Sequence, residues 1–114
     1  MKFVYQSEFE KDLKRLLKRY ISLNEDLIKI MSILEVYPNA RPPFSFLLYN
    51  KSTTVSVIKI KKIACLSLRG KGVNTGLRMI YILNHKSNTI EFIELYHKNE
   101  KANEDQKRFL HLMK

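Results

Sequence analysis

The chain of 114 residues has a single cysteine, Cys65. That excludes an internal disulfide and leaves no cysteine cluster for a metal. Its longest apolar runs, such as FLLY at 46–49, are far too short to cross a bilayer. The N-terminus, MKFVYQSEFEKDLKR, turns charged after a handful of residues and does not read as a secretory leader. The expectation is a soluble cytoplasmic protein without a membrane partner. Two enzyme classes are also missing their marks. The GxxxxGK[ST] spacing of a P-loop is absent, and no Ser/His/Asp or Cys/His arrangement is legible.

The most informative deficit is one of negative charge. Between Glu35 and Glu91 there is no carboxylate, while Arg41, Lys51, Lys59, Lys61, Lys62, Arg69, Lys71, Arg78 and Lys86 fall in that interval. The flanks are nearly balanced, so most of the net charge of +10 sits in the middle of the chain. A field of one sign suits a polyanion, because each neutralised phosphate releases a counterion. Solubility alone would scatter the charge.

Apolar residues make up 45% of the chain, enough for a folded core, and the length fits one domain spanning residues 1–114. MKFVYQ reads as a short first strand. Ser7-Glu8-Phe9-Glu10 has the pattern of a capping box. The helix it opens carries Phe9, Leu13, Leu16, Leu17 and Tyr20 in one stripe, with Lys11, Lys14, Arg15 and Lys18 on another face. Ser22-Leu23-Asn24-Glu25 repeats the box, and a second stripe follows at Leu23, Leu27, Ile30, Met31 and Leu34, with Pro38 just beyond. So short a connection makes the two helices an antiparallel hairpin over a common core.

Residues 38–52 read as a loop with an apolar middle, since Pro42-Pro43 opposes regular structure. The period then changes to two. Ile58, Ile60, Ala64, Leu66 and Leu68 fall on one face of a strand; Lys59, Lys61, Cys65, Ser67 and Arg69 fall on the other, with a bulge allowed at Lys62-Ile63. LRMIYIL is apolar on both faces and therefore central. After the turn at 84–88, IEFIELYHK returns antiparallel. The end of the chain is polar and then amphipathic, with Phe109, Leu112 and Met113 on one face. The predicted architecture is α+β, in the order β-α-α-β-β-β-α. It is an antiparallel sheet with the helical hairpin on one face and a short C-terminal helix.

Arg78 lies mid-strand among apolar residues, where a planar bidentate donor can be held rigidly against a phosphate; the structural alternative is a salt bridge to Glu91 or Glu94. Arg69 and Lys71 flank a glycine-rich turn whose backbone N–H groups can approach an anion. Lys59 and Lys61 add charge on the same strand system.

The segments LRGKG at 68–72 and TGLRMIY at 75–81, then the late strand 90–98 and NEKANEDQKR after it, resemble in order and spacing the RelE/ParE superfamily of toxins from type II toxin–antitoxin pairs. The resemblance runs over essentially the whole chain. It implies a RelE-like fold and a small basic endoribonuclease that cleaves mRNA, often on the ribosome, restrained by a cognate acidic antitoxin. The same superfamily holds ParE-like toxins that inhibit gyrase without cutting RNA, and a degenerate toxin would keep only its binding surface.

Metal-independent RNA cleavage uses the substrate's 2′-hydroxyl to attack the adjacent phosphate. It needs a base, positive charge around the phosphorane, and an acid for the departing 5′-oxygen. No cofactor is called for, and the missing carboxylates suit a site without Mg²⁺. Arg78 is the candidate clamp, with Lys71 beside the reacting phosphate and Arg69, Lys59 and Lys61 along the backbone. Lysine among like charges sheds its proton more easily, and histidine as a residue type changes charge near neutral pH. Lys98 and His97 are thus both candidates for proton transfer. Adjacent strand residues point to opposite faces, so one of the two joins Arg78, and the family's pattern favours Lys98. Tyr96 shares the parity of Lys98 and is a candidate to stack on a base. Glu104 qualifies as a general base only if the segment carrying it folds back over the sheet.

Overall fold

A computed structural model describes residues 1–112. Its elements run β1 (Lys2–Tyr5), α1 (Ser7–Leu17), α2 (Leu23–Val36), β2 (Ser45–Asn50), β3 (Val55–Ile60), β4 (Leu77–Asn84), β5 (Thr89–His97) and α3 (Gln106–Leu112). The strands form one sheet in the order β1-β5-β4-β3-β2. All neighbours are antiparallel except β1, which lies parallel to β5 along the opposite edge from β2.

The helical hairpin packs on one face of the sheet. Its stripes, among them Phe9, Leu13, Leu16, Leu27 and Leu34, meet Ile58, Ile60, Met79, Tyr81, Phe92 and Leu95 in a single core. Each such side chain, buried on folding, contributes about 1.5–3 kcal/mol. The opposite face holds a smaller cluster of Val57, Ile80, Ile82 and Ile93 covered by Phe109 of α3. β4 is buried on both faces, as its unbroken apolar run implies. Met113 and the side chain of Leu112, expected beside Phe109, lie outside the described residues.

Four expectations need correction. Residues 45–50 are an edge strand, not loop: the prolines precede it, and Phe46, Leu47 and Tyr49 are good strand formers. The order therefore gains a strand, β-α-α-β-β-β-β-α. The long strand ends at Ile60. There the N–H groups of Lys61 and Lys62 both donate to the Phe44 carbonyl (2.9 and 3.3 Å), breaking the ladder where the alternation weakens. Beyond that point the parity reverses, so Ile63 and Cys65 are buried while Ala64 and Leu66 are exposed. Neither capping box forms. Gln6, not Ser7, is the N-cap of α1, and no side-chain cap bond is made there. Ser22 is the N-cap of α2, but its hydroxyl donates to Asp26 Oδ2 (2.8 Å) and accepts from the N–H of Ser67 (2.9 Å), tying the 61–76 loop to the helix start.

Candidate nucleic-acid interface

β3, β4 and β5 bring the candidate residues together through register. Arg78 lies directly opposite Tyr96, and Leu77 opposite His97. On β5 the pairing shifts between Ile80 and Tyr81, so that Ile93 is left without a partner on β4. This bulge puts both Ile93 and Glu94 toward the face away from the helices. Tyr96 shares the Arg78 face, while Leu95 and His97 turn to the helices; Lys98 follows in the turn past the strand end.

Arg78 is half-buried. Its Nη1 donates to the carbonyls of Lys61 (3.0 Å) and Leu77 (3.2 Å), which fixes the guanidinium while leaving its charge uncompensated. Glu91 and Glu94 are engaged elsewhere: Glu91 accepts from Gln6, and Glu94 pairs with Lys101 and accepts from the N–H of Asp105. Among the described residues no ion pair engages Arg78. Lys98 is exposed just past the end of β5, its N–H bonded to the Gly76 carbonyl (2.8 Å). Lys61 is exposed, with its ammonium 5.0 Å from the Phe46 ring centroid.

His97 is held on the other side. Asn99 donates its N–H to Nδ1 (3.0 Å), so Nε2 carries the proton and donates to the Thr75 carbonyl (2.9 Å). The ring stacks on Tyr20 with centroids 6.1 Å apart. Both nitrogens are occupied in structural bonds, whereas Lys98, in the turn past β5, is exposed.

Two residues expected on the RNA surface are covered. The segment after β5 folds back across the sheet, meeting the condition set for Glu104. Lys59 is 6% exposed and pairs with Glu104 Oε1 at 2.8 Å. Burial lowers its affinity for a proton, yet Glu104, together with the neighbouring Tyr96 hydroxyl, more than offsets this and holds its pKa above the usual lysine value. Tyr96 is fully buried beneath the same segment, so in this arrangement it offers no ring face for a base. The sequence gives no pattern that pairs Lys59 with Glu104, 45 positions apart.

Arg69 and Lys71 are exposed on the 61–76 loop, and Gly70 and Gly72 adopt positive φ there. Among the described residues no hydrogen bond joins either cation to Arg78 or Lys98. Arg69 instead borders an apolar groove of about 370 Å³ between α2 and the loop, with Ile33, Phe44, Leu68 and Val73 in its walls. The described residues contain no cluster of potential metal ligands and no helix long and apolar enough to span a membrane.

No protein-family model and no curated protein matches the chain. Solved structures do. A chain of the archaeal RelE–RelB complex from Pyrococcus horikoshii OT3 superposes with a TM-score of 0.61 at 18% identity, over 88% of this chain and 97% of that one. A chain of the E. coli DinJ–YafQ complex gives 0.55 at 17% identity, over 90% and 98%. The chain has the RelE-like toxin fold. The RelE-like sheet of this chain carries its uncompensated arginine on the face away from the helical hairpin.

Proposed function

We propose that the protein is the toxin of a type II toxin–antitoxin pair and a metal-independent endoribonuclease acting on mRNA, with an acidic antitoxin as its partner. The reading is supported above all by Arg78: a half-buried guanidinium, oriented by two backbone carbonyls, carrying a charge that no carboxylate among the described residues neutralises. Such a group needs no rearrangement to meet a phosphate, and a preorganised cation is most effective where negative charge develops in the transition state.

In this mechanism Arg78 clamps the scissile phosphate while the 2′-hydroxyl attacks. Lys98 carries the proton transfer from the turn past the end of β5. Lys61 and the loop cations Arg69 and Lys71 hold the backbone on either side, the loop following the chain beyond the sheet. His97 positions Lys98 by fixing the turn between Gly76 and Asn99. A strand-borne clamp and an exposed lysine with no protein partner suit single-stranded RNA, whose backbone is flexible enough to bring its 2′-oxygen in line.

The test is induced expression of wild type beside Arg78→Ala, with the 5′ ends of cellular mRNA mapped. Arrested growth with new ends inside coding regions, both lost in the variant, is the expected result. Arrest with intact mRNA would replace the ribonuclease with a gyrase-directed toxin of the same fold, and neither effect would leave only a binding module. A pull-down from the native host that returned the monomer alone would count against the antitoxin.

A further inference from the structure

Among the described residues, the segment that returns over the sheet is fastened mainly by charge. Glu104 from the segment pairs with Lys59 of β3, and Lys101 from the segment pairs with Glu94 of β5, a reciprocal exchange across the same interface. The Asp105 N–H adds a bond to Glu94 Oε1 (2.9 Å), and Arg108 reaches Asp12 on α1. Phe109 is the buried apolar anchor of α3. The two pairs on the sheet, Lys59–Glu104 and Lys101–Glu94, hold the segment at small net gain, because each ion that leaves its partner regains water. One group already suffers in the closed arrangement. The Tyr96 hydroxyl is buried with no acceptor among the described residues, while Lys59 Nζ and Lys101 Nζ stand 5.7 and 5.2 Å from its ring centroid.

We propose that Lys59 and Tyr96 form a second phosphate subsite, next to Arg78, which the chain keeps shut with its own Glu104. The carboxylate occupies the place of a phosphate oxygen on Lys59. When a phosphodiester enters, it exchanges with Glu104, the segment from Asn99 onward lifts, and the Tyr96 hydroxyl gains the acceptor that it lacks. Register supports the placement. Lys59 lies opposite Ile80 and Tyr96 opposite Arg78 on the same face, so the diagonal from Lys59 to Arg78 is about 7–8 Å, close to the spacing of successive phosphates. The ligand class rests on the RNA reading above; the closure does not. Opening would free Lys59 of its carboxylate while Lys101 leaves Glu94 behind on the same face, so the gain in RNA binding comes from direct contact of Lys59 with a phosphate rather than from net charge.

The probe is a fluorescein-labelled, fully 2′-O-methylated single-stranded RNA 20-mer, which cannot be cut by 2′-hydroxyl attack. Its anisotropy is titrated with the full chain across a sodium chloride series. Glu104→Gln is expected to bind several-fold tighter than wild type, with a salt slope steeper by about 0.7, the value for one further phosphate on a single strand. The double variant Glu104→Gln, Lys59→Met should lose that gain. Unchanged or weaker binding by a folded Glu104→Gln, with an unchanged slope, would overturn the subsite. Should Glu104→Gln not fold, wild type decides: amides 99–112 must exchange hydrogen faster with the oligomer bound, and slower or equal exchange overturns the proposal. The two readings fail separately. Binding that Arg78→Ala abolishes, without any gain in Glu104→Gln, sinks the closure and leaves the RNA site, whereas no binding by any form sinks both.

Discussion

Arg108 reaches from the C-terminal helix to the buried carboxylate of Asp12 on α1, Nη1 to Oδ2 2.6 Å and Nη2 to Oδ1 3.3 Å. The same carboxylate accepts from Arg15 and from the N–H of Leu95 on β5, so one side chain joins α1, β5 and α3. Removing it strands a partly buried guanidinium and a buried backbone N–H. Asp12→Ala should therefore cost about 3–5 kcal/mol, against about 1 kcal/mol or less for an exposed pair such as Lys11–Glu8. Urea denaturation of the two variants checks this; similar midpoints would show that Asp12 is not the junction.

Glycine matters at one place in the basic loop more than at the others. Gly76 has φ +85°, and a Cβ there would stand 2.7 Å from His97 Nε2 and 3.2 Å from Lys98 Cγ. Gly70 has a similar φ of +83° but open space around it. Gly70→Ala should cost only the backbone strain, about 1 kcal/mol, whereas Gly76→Ala should cost roughly 2–3 kcal/mol or more and displace the end of β5. Thermal denaturation separates the two, and RNA cleavage should fall in Gly76→Ala well beyond what its stability loss explains. Equal effects would mean that the Gly76–His97 contact relaxes freely.

Period-two and period-3.6 patterning was enough to place the hairpin helices, the central strand and the last strand beside it, because burial on one face leaves a local imprint. What escaped were relations between distant segments. Nothing in PPFSFLLYN says that an edge strand follows two prolines, since an edge needs only one partner and tolerates exposed Leu47 and Tyr49. Ser22 matches a capping box locally, yet the 61–76 loop and Asp26 claim its hydroxyl. Lys59 looks like a surface cation in a strand with a basic outer face; only the return of the chain, 45 residues later, buries it. Charge counted along the sequence cannot anticipate a carboxylate supplied from outside the interval.

Alkaline stability rests on groups whose pKa the fold raises, among them Tyr5 and Cys65 by burial, and Tyr81 and Lys59 show how. The Tyr81 hydroxyl donates to the Pro38 carbonyl at 2.6 Å, and burial pushes its pKa up; Glu104 holds Lys59 above its ordinary value. In both cases the folded-state pKa exceeds the unfolded value of 10.0 or 10.5. Their contribution is thus complete below the unfolded values and is lost as pH rises through the folded ones. The urea midpoint should hold steady up to about pH 8.5, begin to fall as pH passes the unfolded Cys65 value of 9.0, and fall more steeply above about pH 10. Tyr81→Phe should blunt that fall while lowering stability at neutral pH by about 1 kcal/mol. A midpoint that does not move between neutrality and pH 11 would contradict the sign.

The roles of the adjacent His97 and Lys98 can be separated by their hydrogen bonds. His97 takes the Asn99 N–H on Nδ1 and gives its Nε2 proton to the Thr75 carbonyl, so neither nitrogen is available to a substrate. Lys98 lies in the turn just past the end of β5 and is exposed. Lys98→Gln should lower kcat for RNA cleavage by about a hundredfold or more with little change in melting temperature, the size of effect usual for a proton-transfer group. His97→Gln should lower the melting temperature and raise KM through a disordered turn, while the shape of the pH–rate profile stays that of wild type. Nitrogen NMR of the imidazole should show the proton on Nε2. If instead His97→Gln removes one limb of the pH–rate profile and Lys98→Gln leaves kcat intact, the proton passes through the histidine. The Thr75 bond would then have to open during turnover.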